Sequence, residues 1–507
     1  MVVASPTVET RLSDAVRLPD PEICERARRS RDPRFDGLFF TAVASTGIYC
    51  RPVCPAPYAK RVRYFASASA AEAAGFRPCL RCRPELSPAA GSWHRGDAIL
   101  GRALKLIDAG ALGSESLGAL AQRLGLGERQ LRRLFVERLG AAPIAVQTTR
   151  RLLFAKQLLT ETNLPVTEIA LASGFASLRR FNDAFLKAYR LAPRELRKRR
   201  VDAPADGLVL RLAYRPPYDL GAMLAFLRTR ALDGVEVVDD GQYQRVLAAD
   251  ARGGAAWLRV SAWPDQEHAL RLELHGVSAV HLLDVVHRVR RMFDLDADPQ
   301  AVASAFAPDP RLGPLVRQRP GLRLPSGYDG FEVAVRAIIG QQVSVAAART
   351  IASRLVERLG TPVADPPAPG LTRVFPAPET LLDADLPALG LTRSRASTIE
   401  NVARGLIEAR IDLRGEQSLD EFVSRWVQLP GIGPWTAQYI AMRALGHPDA
   451  FPAEDLGLRR AAGCDGELIA VPELRRLAEN WRPWRAYAAI HLWHALPVST
   501  DRPRTSR

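Results

Sequence analysis

The sequence is short of several things, and each shortage removes a class of protein. Six cysteines among 507 residues are too few, in a chain of this size, for the disulfide frameworks that staple small secreted domains. No apolar run in the chain reaches the roughly 18–20 residues needed to cross a bilayer. The stretch Met1 to Arg11 has no basic segment followed by an apolar one, so no secretory signal is read there and the expectation is a cytoplasmic protein without a membrane partner. Acidic residues are outnumbered, 55 against 70 basic ones, leaving a formal net charge of +15. That excess points to polyanionic partners, nucleic acid before a membrane surface. What is present in quantity is ordinary: 47% apolar and 25% charged residues are enough for several cores. The length fits roughly three or four domains.

Composition shifts divide the chain. Arg83 to Gly91 reads as a linker, Lys198 to Gly207 closes a basic helical region, and a softer boundary falls near Pro308 to Pro320. The run Asp365 to Gly370 is a Pro-rich surface loop, and the tail from Ser499 is polar and frayed. Between 97 and 198 the spacing is helical: Leu117, Leu120, Ala121 and Leu124 precede Gly125, then Leu131, Leu134 and Phe135 follow. The pattern repeats with Val166, Ile169 and Ala170 before Gly174, and Phe181, Phe185 and Tyr189 after it. Two helix-turn-helix units in series are expected. Residues 208–300 are mixed, with strands at Leu208–Tyr214, Val235–Val238 and Trp257–Ser261 and helices at Leu220–Arg230 and Val277–Phe293. Residues 330–495 return to helices separated by Gly and Pro turns.

Four of the cysteines form a C-x3-C pair and a C-x2-C pair, Cys50/Cys54 and Cys79/Cys82, with 24 residues between the pairs. Thiolates so spaced suit tetrahedral zinc, and spacing alone favours an inert structural site. Cys24 and Cys464 stand apart and read as small buried hydrophobes. The flanking residues say more. Thr46-Gly-Ile-Tyr-Cys50-Arg-Pro-Val-Cys54 and Ala73-Ala-Gly-Phe-Arg-Pro-Cys79-Leu-Arg-Cys82 resemble the N-terminal zinc domain of the Ada family of alkylation-damage regulators over about residues 20–86. The resemblance implies that Cys50 accepts a methyl group from a methylated DNA phosphate, that Cys54, Cys79 and Cys82 complete the Zn2+ site, and that Thr46 and Arg77 touch DNA. A metal-held thiolate stays deprotonated at neutral pH, which fits a nucleophile. One departure is visible: Pro55, Pro57 and Tyr58 stand after the second cysteine where that family carries basic side chains.

Glu128-Arg-Gln-Leu-Arg-Arg-Leu-Phe135, and Ser173 to Phe185 followed by Pro193 to Arg197, resemble the AraC-type DNA-binding domain over about residues 97–198. The outward positions Arg129, Arg132, Arg179 and Arg180 lie early in the two recognition helices, where base edges and phosphates come within reach.

The densest chemistry is near the end. Leu429-Pro-Gly-Ile-Gly433 reads as a hairpin between helices, with Gly431 and Gly433 permitting tight turns and exposing N–H groups to a DNA phosphate. It is followed by Trp435-Thr-Ala-Gln-Tyr-Ile-Ala441 and Phe451-Pro-Ala-Glu-Asp455. Together with Arg215 to Asp219, Pro320 to Pro325, Phe331 to Ser344 and Trp481 to Tyr487, these residues resemble the helix–hairpin–helix glycosylases of the AlkA type over about residues 206–495. The resemblance implies that Asp455 is the catalytic carboxylate and that Trp435, Tyr439 and Trp493 line an electron-rich base pocket. Gln342 then stands where the family inserts a leucine into the duplex. Glu454 is expected to face solvent. Where glycosylases that also cut the backbone carry a lysine, this chain has Trp435, which implies base release without lyase activity.

The expectation is therefore a multidomain, mainly α protein with α+β parts: a small four-cysteine zinc domain at 20–86, a double helix-turn-helix domain at 95–200, an α+β TBP-like domain at 206–318 and an all-α helix–hairpin–helix glycosylase domain at 319–497. Its expected ligands are one Zn2+ and a monovalent cation at the hairpin. Its expected partners are alkylated double-stranded DNA, promoter DNA and RNA polymerase, with the chain itself a monomer. The rival reading is an alkylation-responsive activator whose glycosylase half serves only as a DNA-binding scaffold. Direct repair of alkylated guanine is disfavoured, because its Pro-Cys-His-Arg motif does not occur and Cys464 sits in Gly463-Cys-Asp-Gly466 instead.

Overall fold

The computed structural model describes residues 18–89, 98–108, 110–197, 207–239, 241–248, 256–264, 268–413, 415, 417–463 and 467–496. The readings made for Met1 to Arg11, for Ala90 and Gly91, for 198–206, for Cys464 and for the tail lie outside these residues. The chain forms two compact units, one ending at Leu153 but including Asp183–Arg190, the other made of Phe154–Asn182 and the chain from Leu191 onward.

In the first unit the chain opens on a helix, Pro21–Ser30, capped by the Asp20 carboxylate, which accepts from Glu22 N. A four-stranded sheet follows in the order Val62–Phe65, Phe40–Val43, Ile48–Cys50, Arg77–Pro78. The last two strands run parallel and bring the two cysteine pairs to one end of the sheet. Cys24 is fully buried against Ala27 and Phe39, as expected.

The helices Leu117–Arg123 and Glu128–Leu139 form the first helix-turn-helix unit, turning at Gly125, whose φ of +71° no β-carbon favours. Leu120, Leu131 and Phe135 are fully buried in its core. The sheet module is fastened to this helical part: the Ser67 hydroxyl donates to Leu139 O (2.6 Å), and the Glu72 carboxylate accepts from Tyr49 (2.9 Å) and Thr149 (2.6 Å). The pair Val166–Ala172 and Leu178–Tyr189 repeats the motif, with Gly174 at φ +76° between them.

The second unit holds a five-stranded antiparallel sheet in the order Gly207–Ala213, Ala269–His275, Ala256–Ala262, Gln242–Leu247, Glu236–Val238. Three of these strands match the sequence expectation. Gln242–Leu247 and Ala269–His275 were not expected. The helix expected from Val277 is delayed: a single 3-10 turn, Ala279–His281, precedes the helix Leu282–Met292. Within Pro308 to Pro320 lies the helix Leu312–Gln318, packed on Pro299–Phe306 and on Arg485–Ala495.

The remaining helices surround Gly330–Ile339, which is buried along most of its length and packs on Pro434–Ala444, Arg393–Ile407 and Val345–Leu359. Sheet and helices are joined by a buried ionic network. Arg245 pairs with Glu332 and with Glu236 (3.1 Å), and Arg336 pairs with Glu332 (2.8 Å) and Glu236 (3.3 Å). Such a network contributes little net stability over an apolar one, but breaking any member strands a charge.

Candidate active site and metal centre

The hairpin Leu429–Gly433 joins Leu419–Trp426 to Pro434–Ala444, as expected. Gly431 has φ +87°, and a β-carbon there would meet Thr398 Oγ1 at 1.9 Å, so no other residue fits without movement. Gly433 caps the second helix with no side-chain acceptor, leaving the first N–H groups of an exposed helix start open to an anion. Gln341, which the sequence reading passed over, ties this hairpin to the Gly340–Ser344 segment. Its Nε2 donates to Gly431 O (3.1 Å) and Thr436 Oγ1 (3.0 Å). The Arg395 guanidinium donates to the main-chain oxygen of Gln341. Its neighbour Gln342 is exposed with φ +55°, a conformation that costs a non-glycine residue of order 1 kcal/mol or more.

Asp455 caps the short helix Leu456–Ala461. Its Oδ1 accepts from Leu458 N (2.9 Å) and from Trp493 Nε1 (2.9 Å), and its Oδ2 accepts from Trp435 Nε1 (3.2 Å). Two indoles from different helices therefore fix the plane of the carboxylate, leaving one lone pair of Oδ2 free. Trp435 also stacks on Tyr439, one turn further along the helix, with centroids 5.2 Å apart and planes 17° apart. Glu454 does not share this arrangement. It is half-buried and ion-paired with Arg475.

Asp455, Trp435, Tyr439, Trp493, Gln342 and Gly433 all line one cavity of about 1550 Å3. Its aromatic wall is as expected, but the deeper end is not simply electron-rich. Arg230, Arg336 and Arg443 also line it. Burial alone would raise the Tyr439 phenol, yet the Arg443, Arg230 and Arg336 guanidiniums outweigh that effect and hold it below its usual value. Sequence reading missed these cations. The available signal was an arginine four residues beyond Tyr439 on the same helix face.

In the first unit, the sulfurs of Cys50, Cys54, Cys79 and Cys82 lie within 4.8 Å of one another. Arg51 N points at Cys82 Sγ and Arg81 N at Cys79 Sγ, both at 3.4 Å, an N–H pattern that favours thiolates. The four thiols compete for protons: the hydrogen bond from Cys50 brings Cys54 down to about 7, while contact with Cys54 drives Cys50 up. A divalent cation with tetrahedral preference resolves that competition, so the donor set fits zinc. Arg51 is half-buried, ion-paired with Asp36 and donates to Cys82 O (3.0 Å), which stiffens the loop after Cys50. Thr46 is exposed in the turn preceding the Ile48–Cys50 strand, and Arg77, half-buried, pairs with Ile48 in the adjacent strand. Arginines of the first helix, two of them paired with Glu25, pack on the segment after Cys54. Arg28 and Arg29 lie over the Tyr58 ring at 4.1 and 5.1 Å, and Arg31 donates to Pro55 O (3.4 Å). Arg129, Arg132, Arg179 and Arg180 are exposed at the starts of their helices, Arg132 paired with Glu128 at 2.6 Å.

Four family models match successive parts of the chain. They are the metal binding domain of Ada over residues 23–85, a helix-turn-helix domain over 120–199, the AlkA N-terminal domain over 209–329, and the HhH-GPD superfamily of base excision DNA repair proteins over 335–484. The probable bifunctional transcriptional activator/DNA repair enzyme AlkA of Mycobacterium tuberculosis is 40% identical over 499 residues, covering 96% of this chain and 99% of that protein. DNA-3-methyladenine glycosylase 2 of Escherichia coli is 36% identical over 288 residues, 56% of this chain and 96% of that protein. The bifunctional transcriptional activator/DNA repair enzyme Ada of Escherichia coli is 40% identical over 148 residues, 29% of this chain and 40% of that protein. These matches bear out the three resemblances and the multidomain, mainly helical reading of the sequence. No helix among the described residues is long and apolar enough to cross a membrane.

Proposed function

The chain belongs to the family of bifunctional transcriptional activator/DNA repair enzymes of the AlkA type, and on that premise we propose that it repairs alkylated DNA and regulates the response to it. Residues 206–495 hydrolyse the N-glycosidic bond of alkylated purines such as 3-methyladenine. The observation that carries this reading is the Asp455 carboxylate, held by two indole N–H groups at the wall of an aromatic cavity beside an anion-ready hairpin.

The hairpin N–H groups at Gly431 and Gly433 grip a phosphate, and Gln342 fills the gap left when the damaged nucleotide leaves the stack. The base stacks on Trp435 and Tyr439 with Trp493 beside it. N-Alkylation has already made the purine a good leaving group, so the remaining barrier is positive charge growing on the deoxyribose. Asp455 stabilises that charge and orients the attacking water. The C1′–N bond breaks with its electron pair neutralising the departing cationic base, and water forms the new C1′–O bond while its proton is released to solvent. With Trp435 in the place of a Schiff-base lysine, the abasic strand stays intact. A monovalent cation bound by hairpin carbonyls would strengthen the phosphate grip.

In the front half, Cys50, Cys54, Cys79 and Cys82 would hold one Zn2+, which would keep its ligand thiolates deprotonated. The Cys50 sulfur forms a new S–CH3 bond as the O–CH3 bond of a phosphotriester breaks, the electron pair remaining on the phosphate oxygen. The site charge rises from −2 to −1, weakening repulsion of the DNA backbone. Thr46 and Arg77 contact the damaged phosphate. Arg129, Arg132, Arg179 and Arg180 bind promoter DNA, from which the monomeric protein engages RNA polymerase. One incubation with DNA carrying 3-methyladenine and methylphosphotriesters tests both halves. Free 3-methyladenine with uncut strands, and a mass gain of about 14 Da (a methyl group in place of a hydrogen, as for any thiol methylation) on the Cys50 peptide, are expected. An absence of released base refutes the enzymatic reading, and an unmodified Cys50 refutes the sensing one.

A further inference from the structure

Trp435, Tyr439 and Arg443 recur every fourth residue along the helix Pro434–Ala444 and share one face, spanning about 12 Å of axis. Asp455 sits against the Trp435 end of this row, and Arg443 closes the other end of the same cavity. Arg443 is only 6% exposed. Its guanidinium lies 4.4 Å over the Phe226 ring and 6.0 Å from that of Tyr439. Among the described residues its buried Nε and Nη1 have no hydrogen-bond partner and no carboxylate pairs with it, whereas Arg336 and Arg245 are both paired with Glu332 and Glu236. Burial lowers the Arg443 pKa to about 10, so the side chain remains a cation at neutral pH. A buried guanidinium with unmet donors is costly unless a ligand supplies acceptors.

We propose that Arg443 is a specificity-determining residue, whose guanidinium fork donates to the adjacent O6 and N7 acceptors of an everted guanine-type base. This rests on the glycosylase reading of the cavity. A purine whose sugar lies beside Asp455 and whose ring stacks on the Trp435–Tyr439 wall is turned with its Hoogsteen edge toward Arg443. Guanine presents two acceptors on that edge, O6 and N7, the pairing arginine matches best. Adenine presents its N6 amino group there, a donor facing a donor. The row thus reads the lesion by its parts: sugar at Asp455, ring face at the aromatics, Hoogsteen edge at Arg443.

The test uses zinc-loaded full chain on one sample of methylated DNA containing both 3-methylguanine and 3-methyladenine, with both free bases quantified under single-turnover conditions. The readout is the ratio of the two release rates, which does not depend on the folded fraction. Arg443→Met is expected to lower the guanine-to-adenine ratio by about 5- to 150-fold, the range for losing one bidentate base contact. Arg443→Lys, which keeps the charge and loses the fork, is expected to lower it as well. A ratio unchanged in both variants overturns the proposal. If the unaltered chain releases neither base, the proposed function itself falls and this inference with it.

Discussion

Asparagine at position 455 removes one negative charge and almost nothing else. The cap is retained, because Asn and Asp serve equally well as acceptors at a helix start, and Leu458 N, now 2.9 Å from Oδ1, keeps its partner. With the amide oxygen held at the Oδ1 position by Leu458 N and Trp493 Nε1, Trp435 faces the NH2 group, a loss of about 1–2 kcal/mol at a half-buried position. The catalytic loss is larger. A carboxylate about 4 Å from a developing unit cation contributes about 4 kcal/mol at an effective dielectric of 20, which is about 1000-fold in rate. Single-turnover release of 3-methyladenine by Asp455→Asn, alongside thermal melts and binding to undamaged duplex, separates these contributions. The expected result is a rate down by roughly three decades with folding and binding largely retained. A folded, DNA-binding variant that loses less than about tenfold, or 1.4 kcal/mol, refutes the electrostatic role.

Other expectations follow from the same geometry. Trp435→Phe keeps the stack on Tyr439 but loses the indole donor to Asp455, and release should slow about tenfold, in line with a charged hydrogen bond of about 1.5–3 kcal/mol partly expressed in the transition state. Gly431→Ala forces a β-carbon into Thr398 Oγ1 at positive φ and should cost about 2–4 kcal/mol in urea unfolding while weakening binding to undamaged DNA. Cys79→Ala should lower the zinc content from one per chain toward zero and lower the melting temperature of the first unit, as metal analysis and calorimetry would reveal. Asp294 is half-buried, accepts from Leu324 N (3.0 Å) and Tyr487 (2.9 Å), and desolvation raises its pKa to about 6. Its folded form binds protons more tightly than its unfolded form, so its contribution declines as pH rises from about 4 to 6, by about 3 kcal/mol. His491, brought down to about 4 by burial, acts in the opposite direction as pH falls. The test is therefore the difference between the unaltered chain and Asp294→Asn, which should favour the variant increasingly between pH 4 and 6.

Much of the site was legible because its residues are fixed by chemistry that tolerates few alternatives. Four thiols at metal spacing and a glycine pair at a hairpin are visible without knowing the fold, whereas Asp455 and the aromatic row were reached through the family resemblance. The helix-turn-helix units were legible through period, since Leu131, Phe135, Phe181 and Phe185 recur at helical spacing and are fully buried. The strand Gln242–Leu247 was hidden because it is buried on both faces with no apolar alternation, and its buried positions include Gln244 and Arg245. Arg245 is tolerated there only through Glu236 and Glu332, one of them far away in sequence. Ala269–His275 did alternate apolar and polar residues at the strand period and could have been read. Gln341 was not legible, since its role depends on the hairpin carbonyl of Gly431, distant in the chain. Of the cations lining the cavity, only Arg443 carried a sequence signal, its spacing from Tyr439; Arg230 and Arg336 join it from other elements.

The account depends most on a negative side chain facing the sugar carbon that becomes positive during bond breaking. Its most direct test compares the affinity of the full chain for two duplexes, one carrying a cationic pyrrolidine in place of the damaged nucleoside and one carrying a neutral tetrahydrofuran. The account predicts that the cationic duplex binds at least about tenfold more tightly, a difference of about 1.4 kcal/mol, and that Asp455→Asn erases most of the preference. Equal affinity for the two duplexes in the unaltered protein would contradict it.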